Sequence, residues 1–270
     1  SWFWYALLSA VLLSISALTE KRILKHEHAL EFAVSLALVN AVLTLPLYAW
    51  VDFTELNLVT MGIIFVLSFL GAIAFLLVTK SVRHMEVSEI SPLLILGPGL
   101  TAILAYIFLQ EKLSFVQVSG IGLLLIGVYI LETHRASNLL QPLRTIWRSR
   151  YVHFVLIALV LYSLTSLLDR VILHQYAISP LTYIPIVHTF LAIDFLIMAL
   201  FLHYDWAAIK RGFVHGGWLI LPIGVLTVSY RLAEAQAISL VFIALASTVK
   251  RISSLFTTII GGEIFHERAI

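Results

Sequence analysis

The chain has 270 residues, of which 61% are hydrophobic and 12% charged, and its mean hydropathy is +1.01. Soluble domains are about 45–50% apolar, so a water-soluble globule is excluded and an all-α polytopic membrane protein is expected. A formal charge of +2 is too small to call for a nucleic-acid partner, and the absence of cysteine excludes disulfides and thiolate chemistry.

The apolar runs cover residues 2–19, 29–51, 57–79, 89–109, 114–132, 151–168, 180–204, 217–236 and 238–260. Each approaches the roughly 20 residues that a spanning helix needs, which predicts nine helices. The first run has no basic leader and no small-residue cleavage pattern, so it reads as a retained span. Aromatic residues such as Trp2, Trp4, Tyr48, Trp50, Tyr151, Trp206 and Trp218 collect at the ends of the runs, where amphipathic rings settle at the headgroup level.

In the fourth run, Pro92 and Gly97-Pro98-Gly99 interrupt the helical pattern. Backbone carbonyls freed there need protein or cavity water, so these residues read as a hinge or as a static kink. Gly120 and Gly127 share one face of the fifth run, which predicts close helix packing. The segment 133–150 is basic and divides the chain. Within it Leu139, Leu140, Leu143, Ile146 and Trp147 recur opposite Arg144 and Arg148, the pattern of a surface helix or of a solvated linker.

In the second half, Asp194 lies near the middle of its run and reads as a counter-ion, a proton carrier or a structural partner. His188, among Ile186, Val187 and Phe190, reads as an interior histidine or a proton relay. Arg231 and Glu234 fall near the end of the run 217–236 and are expected to pair or snorkel. The last run, ISLVFIALASTVKRISSLFTTII at 238–260, carries Lys250 and Arg251 near its centre. A centred Lys or Arg costs about 2.5–3.5 kcal/mol on insertion scales, so the pair must face protein or water. At helical spacing Ser247, Lys250, Ser254 and Thr257 share a stripe, which predicts a helix lining a polar interior. Lys250 and Arg251 are candidates for binding a carboxylate or phosphate, the alternative being an internal salt bridge that holds helices together, with Asp194 as the natural counter-ion. Ser247, Ser254, Asn40 and Tyr106 complete the candidate set, interhelical hydrogen bonding being the alternative role for Asn40 and Tyr106.

The two halves resemble each other. SISALTEKRIL at 14–24 lies over SLTSLLDRVIL at 163–173, Asp52 over Asp205, and Thr101 to Glu111-Lys112 over Thr257 to Glu267-Arg268. A five-helix unit repeated after an odd number of crossings enters the membrane from the other side, so inverted repeats are expected, the arrangement secondary transporters use for two alternating gates.

The run EISPLLILGPGLTAILAYIFLQEKLS at 89–114, followed by QVSGIG at 117–122 and LIGVY at 125–129, looks like the EamA-type repeat of the drug/metabolite transporter superfamily. Lys250-Arg251 with Leu255-Phe256, Gly261-Gly262 and Glu267 is similar to its second copy. The resemblance implies two inverted five-helix repeats that form a small-molecule carrier. Its central cavity would lie among the third, fourth, eighth and ninth helices. The first repeat would occupy 1–132, the linker 133–150, and the second repeat 151–270. That second repeat stops before an equivalent of 115–131, so a tenth helix is expected beyond Ile270. The middle of the first helix, Ala10 to Ser14, carries no acidic residue, unlike the small multidrug-resistance relatives.

No His-Glu-x-x-His, Gly-x-Ser-x-Gly, phosphate loop or Asp-rich motif is present, so no catalytic residue is assigned. His26, His28, Glu27 and Glu31 have metal-capable side chains, but neighbours on a helix diverge, and neither metal nor cofactor is expected. The expected function is secondary transport of a small polar or anionic metabolite by alternating access, coupled to protons or sodium ions. The alternatives are a lipid-linked sugar flippase and an intramembrane enzyme. The protein is expected as a monomer or homodimer in the cell membrane. Positive residues place the N-terminus outside, whereas the resemblance places both termini in the cytoplasm, which leaves the sidedness open.

Overall fold

A computed structural model describes residues 1–24, 28–85, 93–94, 96–133, 150–203, 210, 212–214 and 217–264. Pro92, most of the linker, and Glu267-Arg268 lie outside the described residues, as do His26 and Glu27. The described chain is helical: α1 Trp2–Leu24, α2 Ala29–Thr44, α3 Leu58–His84, α4 Leu96–Leu109, α5 Phe115–Thr133, α6 Arg150–Arg170, α7 Pro180–Phe201, α8 Ile220–Leu240, α9 Ile243–Lys250 and α10 Ile252–Ile264. In hydrocarbon every backbone group must be satisfied within the chain, and a helix does this segment by segment.

Six of the helical stretches are long and apolar enough to cross a membrane: Trp2–Leu24, Ala29–Trp50, Leu58–His84, Arg150–Gln175, Pro180–Phe201 and Gly217–Leu240. Two shorter apolar helices, Leu96–Leu109 and Phe115–Gly127, accompany them. Large apolar side chains including Trp4, Leu58, Phe115, Leu123, Leu200 and Trp218 point outward. A lipid surface tolerates that pattern, and together with the helix lengths it makes the protein an integral multi-pass membrane protein.

The ends of the helices have local causes. Asn57 caps α3 by accepting from the Thr60 amide at 2.9 Å while Thr60 Oγ1 accepts from the Asn57 amide, a reciprocal box. Ser179 caps α7 through the Thr182 amide, and Pro180 follows at the first position, where no donor is needed. Arg83 and His84 end α3, and Lys21 and Arg22 end α1, where cations complement the helix dipole. In the α2–α3 loop the Thr54 hydroxyl and amide both donate to Asp52, and these bonds hold its exposed carboxyl below the usual carboxylate range. Glu55 Oε2 accepts from the Ser179 amide at 3.0 Å, and the Asp52 amide donates to Thr182 Oγ1 at 3.1 Å, so this loop is tied to the start of α7.

Exchanging the two halves of the chain maps the packing onto itself. The pair α3–α6 is answered by α8–α1, α3–α7 by α8–α2, α2–α3 by α7–α8, and α4–α6 by α9 and α10 against α1. The contacts α2–α7 and α4–α9 are their own counterparts. Such a pattern is what two copies of one helical unit give when they pack face to face.

Two sequence expectations are corrected. The run 238–260 is not one helix. Ile238 to Leu240 finish α8, Val241 and Phe242 are extended, and the helix that follows is broken again at Arg251. Hydroxyls explain the second break: Ser247 and Thr248 both donate to Ala244 O, and Ser254 donates to Arg251 O, back-bonding that competes with the helical ladder and bends it. Gly120 and Gly127, expected at a close contact, have nothing within 4 Å of where a Cβ would stand. The close approaches lie elsewhere. A Cβ on Gly224 of α8 would sit 2.8 Å from Val39 Cγ1 and 2.9 Å from Leu43 Cδ1 of α2.

Candidate functional site

Ionisable residues of the second half converge inside the helix assembly. On α8, Arg231 and Glu234 stand one turn apart and meet side by side, Arg231 Nη1 donating to Glu234 Oε2 at 3.1 Å. From α9, Lys250 Nζ donates to the other oxygen, Glu234 Oε1, at 2.6 Å. Arg231 Nη2 lies 3.9 Å from Asp169 Oδ1 of α6, and the Tyr183 hydroxyl of α7 donates to that same Asp169 oxygen. Lys250, Glu234, Arg231 and Asp169 therefore form a row of alternating charge held by three helices and closed by a phenol from a fourth. Lys250 Nζ also lies 5.7 Å from the ring centre of Tyr230, within cation–π range.

The row is graded in exposure. The side chains of Lys250 and Arg231 are 25% and 21% exposed, against 13% for Glu234 and 6% for Asp169. Its two cations are the more accessible members.

A second pair lies apart from the first. Arg170, the neighbour of Asp169, points about 100° away around the helix. Its Nε donates to Glu111 Oε1 at 2.9 Å, and its Nη1 donates to Ile238 O at 2.5 Å. Both side chains are buried, and Glu111 Oε2 has no hydrogen-bond partner. This pair joins the α4–α5 turn, α6 and the end of α8, so it fastens helix ends rather than lining the row.

Residues 1–133 match the EamA-like transporter family. Those 133 of the 270 residues are similar to that family. Members of that family are membrane transporters of the drug/metabolite transporter superfamily. A solved crystal structure of a protein 15% identical in sequence aligns with a TM-score of 0.61, over 99% of this chain and 88% of that one, a likeness of fold alone. No curated protein matches the sequence.

The residues singled out in the sequence are dispersed. Lys250 belongs to the charged row. Ser247 and Ser254 flank it on the same segment, with their hydroxyls donated to Ala244 O and Arg251 O. Arg251 lies against α4, where its Nη2 stands 2.8 Å from the position of a Cβ on Gly97. Gly97, Pro98 and Gly99 sit in the first described turn of α4, so the described helix is not interrupted by them. His188 is buried, its Nδ1 2.9 Å from Ile184 O. Asn40 is buried at the α2–α8 contact, and its Oδ1 has no hydrogen-bond partner. Tyr106 is 60% exposed and is not brought to the row.

Asp194 is not the counter-ion of Lys250. Its Oδ2 is bonded to Ser68 of α3, and Glu234 takes the role instead. Nor do Arg231 and Glu234 lie near a helix end: α8 continues to Leu240 and places them at its interior. Sequence reasoning missed Glu234, Arg231, Asp169 and Tyr183 as members of one site. The signal present was the run Tyr230-Arg231-Leu232-Ala233-Glu234, which holds the two charged residues of an otherwise uncharged span.

Proposed function

We propose that the protein is a secondary transporter that moves a small metabolite bearing a carboxylate across the cell membrane by alternating access. The charged row would be its binding site. One observation carries this reading: two partly accessible cations, Lys250 and Arg231, share the single carboxylate of Glu234. A substrate carboxylate that takes Lys250 from Glu234 leaves the acid still paired with Arg231, so the exchange strands no buried charge. Charges inside a membrane assembly are costly to retain and mark substrate paths more often than scaffolding. An α-amino group on the same substrate would find Glu234 and Asp169 behind the cations.

Uptake by proteoliposomes holding the purified protein, measured over a panel of labelled amino acids, mono- and dicarboxylates, sugars and organic cations, tests this reading. Accumulation confined to carboxylate-bearing compounds supports it. Movement of sugars or cations alone, or of nothing in the panel, overturns it.

A further inference from the structure

Asp194 stands apart from the charged row and has an environment of its own. It is 1% exposed within α7, its Oδ1 has no hydrogen-bond partner, and its Oδ2 lies 2.6 Å from Ser68 Oγ of α3. Ser68 Oγ also lies 2.8 Å from Phe65 O, one turn back on its own helix. A serine hydroxyl has a single hydrogen. If the carboxyl is ionised, that hydrogen can serve only one of two acceptors, and the other faces an oxygen lone pair at hydrogen-bond distance. If Oδ2 carries a proton, both short contacts of Ser68 are satisfied in sequence: the Asp194 O–H donates to Ser68 Oγ, and Ser68 donates to Phe65 O. Burial argues the same way, since a carboxylate in apolar surroundings needs a cation or several donors.

The elements packed against α7 are α2, α3, α8, and the turns Leu45–Trp50 and Val171–Gln175. Their titratable or charged side chains are Glu31 on α2, Lys80, Arg83 and His84 on α3, Tyr230, Arg231 and Glu234 on α8, and Tyr48 and His174 in the turns, while α7 itself adds Tyr183 and His188. Among the described residues none of them is hydrogen-bonded or ion-paired to Asp194, whose one partner is Ser68. The corresponding contact in the other half, α2 against α8, carries Asn40 near the same register and Gly224 opposite it. A neutral amide therefore occupies one copy of this contact and a carboxyl the other.

We propose that Asp194, with Ser68 as its partner across the α3–α7 contact, is a proton-binding site that couples transport to the proton gradient. The α3–α7 contact joins one helix from each half, so a motion of the halves makes and breaks the Ser68 bond. The proton is held on Oδ2 while the contact is closed. It is released when that contact opens to water, which can solvate the carboxylate. The coupling role rests on the transport reading, whereas the site itself does not.

Infrared difference spectroscopy on the purified protein in liposomes, recorded between acidic and alkaline buffer without substrate, tests the site directly. The wild type is expected to show a carboxylic-acid C=O band that Asp194→Asn removes and that Ser68→Ala shifts in frequency without removing. Identical spectra for wild type and Asp194→Asn overturn the proposal. So does a band that responds to sodium at fixed pH rather than to pH. With a compound that the uptake panel shows to be carried, Asp194→Asn should lose pH-gradient-driven accumulation and keep exchange of labelled for unlabelled compound. Loss of both modes in a monodisperse variant contradicts the coupling role. A panel in which nothing moves, beside an intact Asp194 band, would sink the transport reading and leave the proton site standing.

Discussion

Lys250 and Glu234, 16 residues apart on different helices, are joined from Nζ to Oε1 at 2.6 Å. Glu234 also holds Arg231, so the acid is the hub of the row and its two cations are the spokes. Glu234→Gln leaves two cations without their counter-charge. It should cost about 3 kcal/mol, the low end for breaking a buried pair because the cations are partly exposed. Lys250→Met should cost less, since Glu234 keeps Arg231, and the double variant should be more stable than Glu234→Gln alone. Thermal unfolding in detergent of the two single variants and the double, treated as a cycle, measures this.

Arg170 and Glu111 form the more deeply buried pair, and Arg170 also serves Ile238 O. Arg170→Met strands a carboxylate and a carbonyl, so a loss of about 4 kcal/mol is expected. Glu111→Gln should cost less, because the amide oxygen still accepts from Nε. Arg170→Lys should fall between them: it keeps the charge but offers a compact ammonium in place of a planar fork. Ranking the three by melting temperature checks the geometry, and equal values would speak against it.

Glycine substitutions separate contact from open space. Gly224→Ala should destabilise by roughly 1–3 kcal/mol through overpacking against Val39 and Leu43. Gly97→Ala meets only the end of the Arg251 side chain, which can move, so its cost should be smaller. Gly120→Ala meets nothing within 4 Å and lies inside a helix, where alanine should stabilise by about 0.4–1 kcal/mol. The order of the three melting temperatures is the readout.

Much of the architecture was legible in the sequence because a bilayer imposes one length on every span, and the apolar runs anticipated where helices lie. Lys250 was legible as well, since a cation in the middle of an apolar run has few bland explanations. Its partner was not. Asp194 was the only acid near the middle of a predicted span, but Glu234 is central once α8 extends to Leu240, and run boundaries read from hydropathy place it at an end. The break at Arg251 was hidden for a related reason: hydropathy weighs Ser247, Thr248 and Ser254 by polarity and not by the backbone oxygens they take. The meeting of Asp169 with Tyr183 depends on how α6 packs on α7, and spacing along the chain carries no record of it.

The central claim is that Lys250 receives the substrate's negative group, and one comparison tests it most directly. Initial uptake of a carried carboxylate is measured in proteoliposomes for wild type, Lys250→Met and Lys250→Arg, each shown to be inserted and monodisperse. The expected result is loss of uptake in Lys250→Met, with Lys250→Arg retaining uptake at a weaker apparent affinity because the charge persists while its shape changes. Normal uptake by Lys250→Met, at an unchanged concentration dependence, would contradict the account and leave the row as internal bracing.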